Sequence, residues 1–367
     1  MATFFFRRSV EKAFQLDEPP TNLSLSLETP LATNPPYITS VVDDVMYILN
    51  QILEKIFSTS QKAVVATVIP TISRILSSDF IGMIQRKMRD ESYPKAAIQG
   101  ALPPESIIIS FLVLINNLDI ATEYTQRIVQ TYIGSVTGMG RTEETVTYKV
   151  SDRFPFEDDA STVCNVVRVL ESSFIGKANE LIGDGVFVAF KNIIKPRLRS
   201  LLAESFRDVD YQMNAHDLES SRNMAEAEGR RNANEVGVVH DIFRTSWDSL
   251  TRPVTRILLP RSTEKLLVIT VSYLSELLEK RIWSYYGRIN AVGGVRLERD
   301  IADILSVVVR EGRYRLREAF ARCTQICMLM NMEEEEWNEL QTGTARMEDG
   351  LDWQLDEDER VRARSIL

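Results

Sequence analysis

Three sets of residues in this 367-residue chain have types and spacings that could support chemistry. Cys323 and Cys327 lie four apart in RYRLREAFARCTQICMLMNM, residues 313 to 332, which puts both thiols on one helix face with Leu316, Phe320 and Met330. A thiolate metal site needs further ligands converging on the same point, and none is visible nearby, so the spacing reads as reduced core cysteine. His216-Asp217 and His240-Asp241 hold the only two histidines, each beside a carboxylate, as in some metal phosphohydrolases. Neither pair sits in an H-E-x-x-H or comparable ligand pattern, and surface helix histidines are the plainer expectation. Gly134, Gly138 and Gly140 precede no Gly-Lys-Ser/Thr and follow no strand signal, so they read as a loop and not as a phosphate cradle. No catalytic residue, metal or cofactor is expected.

Arg322 poses a different problem. On a helical wheel it lies on the flank of the same stripe, beside Ile326 and Leu329, where its stem can be buried while its guanidinium needs an acceptor. Acidic candidates stand in EEEEW, residues 333 to 337, and in LDWQLDEDERVR, residues 351 to 362. Proximity does not choose between them.

The elements that must position these residues are helices. Val42, Val45, Met46, Leu49, Ile52, Leu53 and Ile56 recur at three- and four-residue steps behind a capping-box pattern at Ser40 and Asp43. Similar stripes run over 72–84, 107–133, 163–182, 187–202, 240–289 and 299–332, and no sustained two-residue alternation calls for strands. The apolar run SIIISFLVLINNL, residues 106 to 118, is short of the roughly 20 residues of a membrane span and reads as a buried helix. Residues 17–37, rich in Pro, Ser and Thr, read as a mobile linker. Residues 134–159 have loop chemistry, and 207–237 are polar without a stripe, as a solvated helix or a junction would be. The expected divisions are 1–107, 108–235 and 236–367.

Composition sets the class. Hydrophobic residues at 44% and charged residues at 26% fit a globular chain. Forty-three Lys and Arg against 52 Asp and Glu give a net charge of −9, which leaves no basic excess for a phosphate backbone, so nucleic acid is an unsuited ligand. Three cysteines, Cys164 included, are too few and too irregular for a disulfide framework, which points to a reducing, cytosolic setting.

Several dispersed segments resemble one family in the same order. FFFRRSVEKAFQLDE, ITSVVDDVMYIL, SFLVLINNLDIATE and IIKPRL are followed by Gly293-Gly294, then by Arg317, Phe320, Ala321, Arg322 and Gln325 of an R-x-x-F-A-R-x-x-Q motif. Leu351, Trp353, Leu355 and Glu359 then fit a terminal L-x-W-x-L-x-x-x-E. Together they resemble the C-terminal part of subunit 4 of the conserved oligomeric Golgi complex. The resemblance implies an all-α, elongated rod of small helical bundles, of the type shared with exocyst and other multisubunit tethers. It implies a non-enzymatic scaffold, peripheral on the cytosolic face of the Golgi, acting in intra-Golgi retrograde transport. The partners it implies are the other subunits of the complex, with SNARE machinery met through the family's N-terminal half, which has no counterpart here. A subunit of a related complex such as exocyst, or a metal-dependent hydrolase using the His-Asp pairs, are the competing functions.

The resemblance also implies a structural ion pair, because the arginine of F-A-R is held in the family's terminal bundle by the tail glutamate. Carried over, the pair is Arg322 with Glu359, with Trp353 and Leu355 packing the tail. Where the family often has Thr-Pro this chain has Asp356-Glu357-Asp358, so Glu357 is the alternative partner. A largely buried pair is expected to make substitution of either partner similarly destabilising. At the level of the whole chain, circular dichroism should show a helix-dominated spectrum. Small-angle scattering should give a radius of gyration above the roughly 21 Å of a compact globule of this length.

Overall fold

A computed structural model describes residues 2–31, 34–95, 102–133, 150–212, 237–310, 313–341 and 352–367. Among these the elements are helices joined by coil, with no strand, so the fold is all-α as the three- and four-residue spacing predicts. Contacts gather the chain into two units, one of Met1–Ile193 with Arg252–Leu266, the other of Ile194–Thr251 with Leu267–Leu367. The division expected near 107 falls inside the first unit, and that near 235 lies outside the described residues.

In the first unit α1 (Ala2–Gln15) packs on α2 (Ser40–Ser58), and α3 (Lys62–Glu91) carries π turns at Leu76–Phe80 and Lys87–Glu91. α5 (Glu157–Ala189) lies against both α3 and α4 (Glu105–Ile133). Every residue of α4 from Phe111 to Thr122 is buried. α3 and α4 are long and apolar enough to cross a membrane, and most of the apolar stretch of α4 is covered by the unit itself, as a core helix is. α5 approaches through Gly185, where a Cβ would come within 2.8 Å of the Met88 methyl.

A helix buried on all sides still carries Asn116, Asn117 and Asp119, and each has a task. The Asn116 amide donates to the carbonyls of Tyr37 at 3.1 Å and Ile257 at 2.8 Å, and its oxygen accepts from the Leu259 N–H at 3.0 Å. Asn117 accepts from the Thr39 N–H and donates to the Thr39 hydroxyl, both at 3.0 Å. Asp119 accepts from the Ser262 hydroxyl at 3.1 Å. Coil that crosses the core thereby finds the partners its main chain needs.

The described residues of the segment expected to be a mobile linker make specific contacts with distant helices. Asp17 pairs with Lys87 at 2.8 Å and accepts from the Val41 N–H at 3.2 Å. Glu105 accepts from the Ser24 hydroxyl at 2.8 Å and the Leu25 N–H at 2.6 Å, and Arg256 donates to the carbonyls of Ser26 and Thr29. Its proline content sets coil, and side chains on distant helices meet that coil at these points.

The second unit contains α6 (Lys195–Ser205), most of α7 (Val238–Thr255), most of α8 (Pro260–Trp283) and α9 (Ala291–Val308). A 3₁₀ stretch (Tyr314–Phe320), α10 (Ala321–Asn331), α11 (Glu334–Gln341) and α12 (Glu357–Arg364) complete it. The stripe expected over 240–289 is interrupted because Pro260 opens α8, a residue suited to the first helical position and not to the interior. That expected over 299–332 breaks after Val308, so Leu316 and Phe320 sit on the 3₁₀ stretch while Cys323, Cys327 and Met330 lie on α10. Gly293 and Gly294 let the start of α9 pass close to neighbours: a Cβ on Gly293 would stand 1.7 Å from the Tyr211 carbonyl oxygen.

Asn116→Ala should leave buried main-chain groups of Tyr37, Ile257 and Leu259 without partners. At about 1 to 3 kcal/mol per orphaned group, partly relieved by relaxation, a loss of about 2 to 4 kcal/mol is expected in urea unfolding. A loss below about 1 kcal/mol would show that these bonds are replaceable.

Candidate functional site

The described polar residues converge most densely around Arg322. α10 presents its guanidinium between α8, which supplies Glu279, and the C-terminal tail. Nε and Nη2 donate to the two oxygens of Glu279 at 3.0 and 2.8 Å. Nη2 and Nη1 donate to the two oxygens of Glu359 at 2.6 and 3.2 Å, and Nη1 also reaches the Gln354 carbonyl at 2.8 Å. Five bonds match the five N–H groups that a guanidinium has to offer. The structure therefore places Arg322 and Glu359 together, but adds Glu279, a second and better-buried partner 43 residues away.

Glu359, and not Glu357, faces the arginine because Asp356 caps α12. The Asp356 carboxylate accepts from the Glu359 N–H at 2.8 Å, and the Glu359 carboxylate accepts from the Asp356 N–H at 3.0 Å, a complete capping box. Arg322 holds both Glu279 and Glu359 below the usual carboxylate range through these hydrogen bonds, while its own pKa is raised further. The Arg322 side chain is 35% exposed and that of Glu359 32%, so this is a half-buried cluster and not the largely buried pair expected.

Around it the tail is fixed by further contacts. Gln325 donates to the Asp352 carbonyl at 2.8 Å and accepts from the Gln354 N–H at 2.9 Å. Leu355 is buried; Trp353 is half-buried, with the Arg360 guanidinium 5.3 Å from its ring centre. Arg362 lies 4.7 Å over the Trp283 ring, and the Ile366 carbonyl accepts from the Gly287 N–H at 3.1 Å. The arrangement clamps one chain segment onto a bundle. It presents no nucleophile.

Cys323 and Cys327 are both buried, and the Cys323 thiol lies 3.5 Å from the Ser275 carbonyl. Burial pushes Cys323 up to about 12 and Cys327 up as well, so both remain thiols at neutral pH. His240 is buried, not on the surface as expected, with Nδ1 3.3 Å from Asp241. His216 and the glycines at 134, 138 and 140 lie outside the described residues. Among the described residues no group of three or more His, Cys, Asp or Glu is placed to hold a metal ion.

Comparison with known proteins points one way along the chain. The family model for conserved oligomeric Golgi complex subunit 4, C-terminal, matches residues 111–362, and that for COG4 transport protein, middle alpha-helical bundle, matches residues 1–88. The chain is 25% identical over 268 residues to conserved oligomeric Golgi complex subunit 4 of Saccharomyces cerevisiae, across 70% of this chain and 30% of that protein. The same-named protein of Drosophila melanogaster is 23% identical over 357 residues, 91% of this chain and 41% of its own length. That of Arabidopsis thaliana is 21% identical over 333 residues, 90% and 39%. The chain thus spans well under half the length of these relatives.

Removing Arg322 leaves two carboxylates facing each other, so Arg322→Ala should cost about 2 to 3 kcal/mol, below the about 3 to 5 of a fully buried pair because solvent screens the cluster. Glu359→Ala should cost less, since Arg322 keeps Glu279, and the double mutant should cost less than the sum. Strict additivity would refute the coupling. Both carboxylates have lowered pKa values, so their contribution is complete above about pH 4.3 and fades as the pH falls through the folded values. Tryptophan fluorescence should therefore report tail release below about pH 4, with a transition that Arg322→Ala abolishes.

Proposed function

Since the chain belongs to the conserved oligomeric Golgi complex subunit 4 family, we propose that it serves as a non-enzymatic scaffold in a Golgi vesicle-tethering complex acting in intra-Golgi retrograde transport. The observation that carries this reading is the coverage: two family models together account for residues 1–88 and 111–362. It is supported by the use the fold makes of its polar groups. Asn116, Asn117, Arg322 and Gln325 all hold main chain or carboxylates of the chain itself. On this reading the protein is peripheral on the cytosolic face of the Golgi, and its partners are the other subunits of the complex. SNARE machinery is met through the part of the relatives that this chain does not span.

A pull-down with the tagged full-length protein tests it. Recovery of the other subunits of the first lobe of the Golgi complex is expected; recovery of exocyst subunits, or of neither set, would overturn it. His216→Ala and His240→Gln should leave that recovery unchanged, whereas a hydrolase built on the His-Asp pairs would lose bound metal and turnover in the same variants.

A further inference from the structure

Ser365 is the one serine or threonine of this chain with an arginine both five and three positions before it, Arg360 and Arg362, and an apolar residue, Ile366, follows it. That pattern is what a basophilic serine kinase selects, by pairing the two guanidinia with carboxylates of its peptide groove. The structure leaves the hydroxyl within reach and occupies the rest. Ser365 is exposed at the C-terminal end of α12. Arg360 lies 5.3 Å from the Trp353 ring centre, Arg362 lies 4.7 Å from that of Trp283, and Arg364 donates to the Met330 carbonyl at 3.4 Å. Ile366 is buried. Winding also separates the two signals. Residues two apart on a helix stand about 200° apart around it, so Arg360 and Arg362 face opposite ways and each meets a different ring. In an extended strand residues two apart share a side, and both guanidinia then meet one acidic surface.

We propose that Ser365 is a phosphorylation site for an arginine-directed serine kinase, which takes it from the tail once the Arg322 clamp has released it. The serine oxygen attacks the γ-phosphorus of ATP, and the bond from that phosphorus to the β,γ-bridging oxygen breaks. ADP leaves, and the hydroxyl proton passes to the catalytic carboxylate of the kinase. The phosphate then opposes rewinding. In the wound tail the Ser365 hydroxyl donates to the carbonyls of Val361 and Arg362, at 2.9 and 3.1 Å, whereas ionised phosphate oxygens only accept and are repelled by the same carbonyls. A charge of roughly −1.5 to −2 also stands at the negative end of the α12 dipole. Arg362 and Arg364 can take the phosphate only by leaving Trp283 and Met330, which undoes the docking they provide.

The test incubates the 367-residue chain with ATP and the catalytic domain of a kinase that selects arginine five and three positions before serine, and follows phosphate at Ser365 by mass spectrometry. Arg322→Ala leaves the recognised segment intact and opens the tail, so Ser365 should accept phosphate about tenfold faster or more than in the unaltered chain. Glu359→Gln lies just outside that segment, keeps a capping residue and removes one carboxylate of the clamp. It should give a smaller rise, and it keeps the comparison readable where Arg322→Ala fails to fold. Adding Arg360→Ala and Arg362→Ala to either variant should slow the reaction about tenfold or more, because recognition is then lost while access remains. The phosphorylated chain should show at neutral pH the tryptophan fluorescence of a released tail. Ser365 left unmodified in both release variants, equal rates in the release variants and the unaltered chain, indifference to loss of the two arginines, or a phosphorylated tail that stays clamped would each overturn the proposal.

Discussion

Coil that runs across a helical core must find partners for its main-chain N–H and C=O groups, and in each unit of this chain helix side chains supply them. In the first unit Asn116 and Asn117, at the centre of a helix buried on every side, receive the main chain before α2 and the turn between α7 and α8. In the second, Gln325 and Arg322 receive the main chain of the tail. The hydrophobic effect holds helix to helix without direction; these bonds say which coil lies where. Polar residues on otherwise apolar helix faces are thus the addresses at which the described non-helical segments are attached.

This division explains what the sequence made legible. The apolar stripes and their period needed only local information, and the helices appeared where the period ran, including the buried run from Ser106 to Leu118. The break at Pro260 was obscured because Ile257, Leu258 and Leu259 run up to it, and that after Val308 because Leu316 and Phe320 resume the same period beyond Arg310-Glu311-Gly312-Arg313. Arg322 was recognisable as a charge in need of an acceptor, and resemblance suggested Glu359. Glu279 was invisible from spacing, since 43 residues separate it from Arg322 and nothing in α8 marks it apart from its neighbours. The capping signal Asp356-x-x-Glu359 was present in the sequence and marks where α12 begins.

The contacts of residues 17–31 and the burial of His240 escaped the sequence for one shared reason. Composition reports what a segment can do alone; it does not report a distant residue that reaches it. Residues 17–31 read as free coil until Lys87, Glu105 and Arg256 are placed beside them. His240 reads as a surface residue on a helix whose covered face is set by elements far away in the chain.

The capping box on α12 and the arginine cluster are one connected set of bonds. One oxygen of Glu359, Oε2, accepts both from the Asp356 N–H that begins the helix and from the arginine that docks it. An eight-residue helix has little stability by itself, because its nucleus costs more than so few bonds return. Winding and docking therefore share an atom and support one another. A change that frees the arginine from this oxygen therefore also loosens the start of the helix, and loss of the cap loosens the clamp.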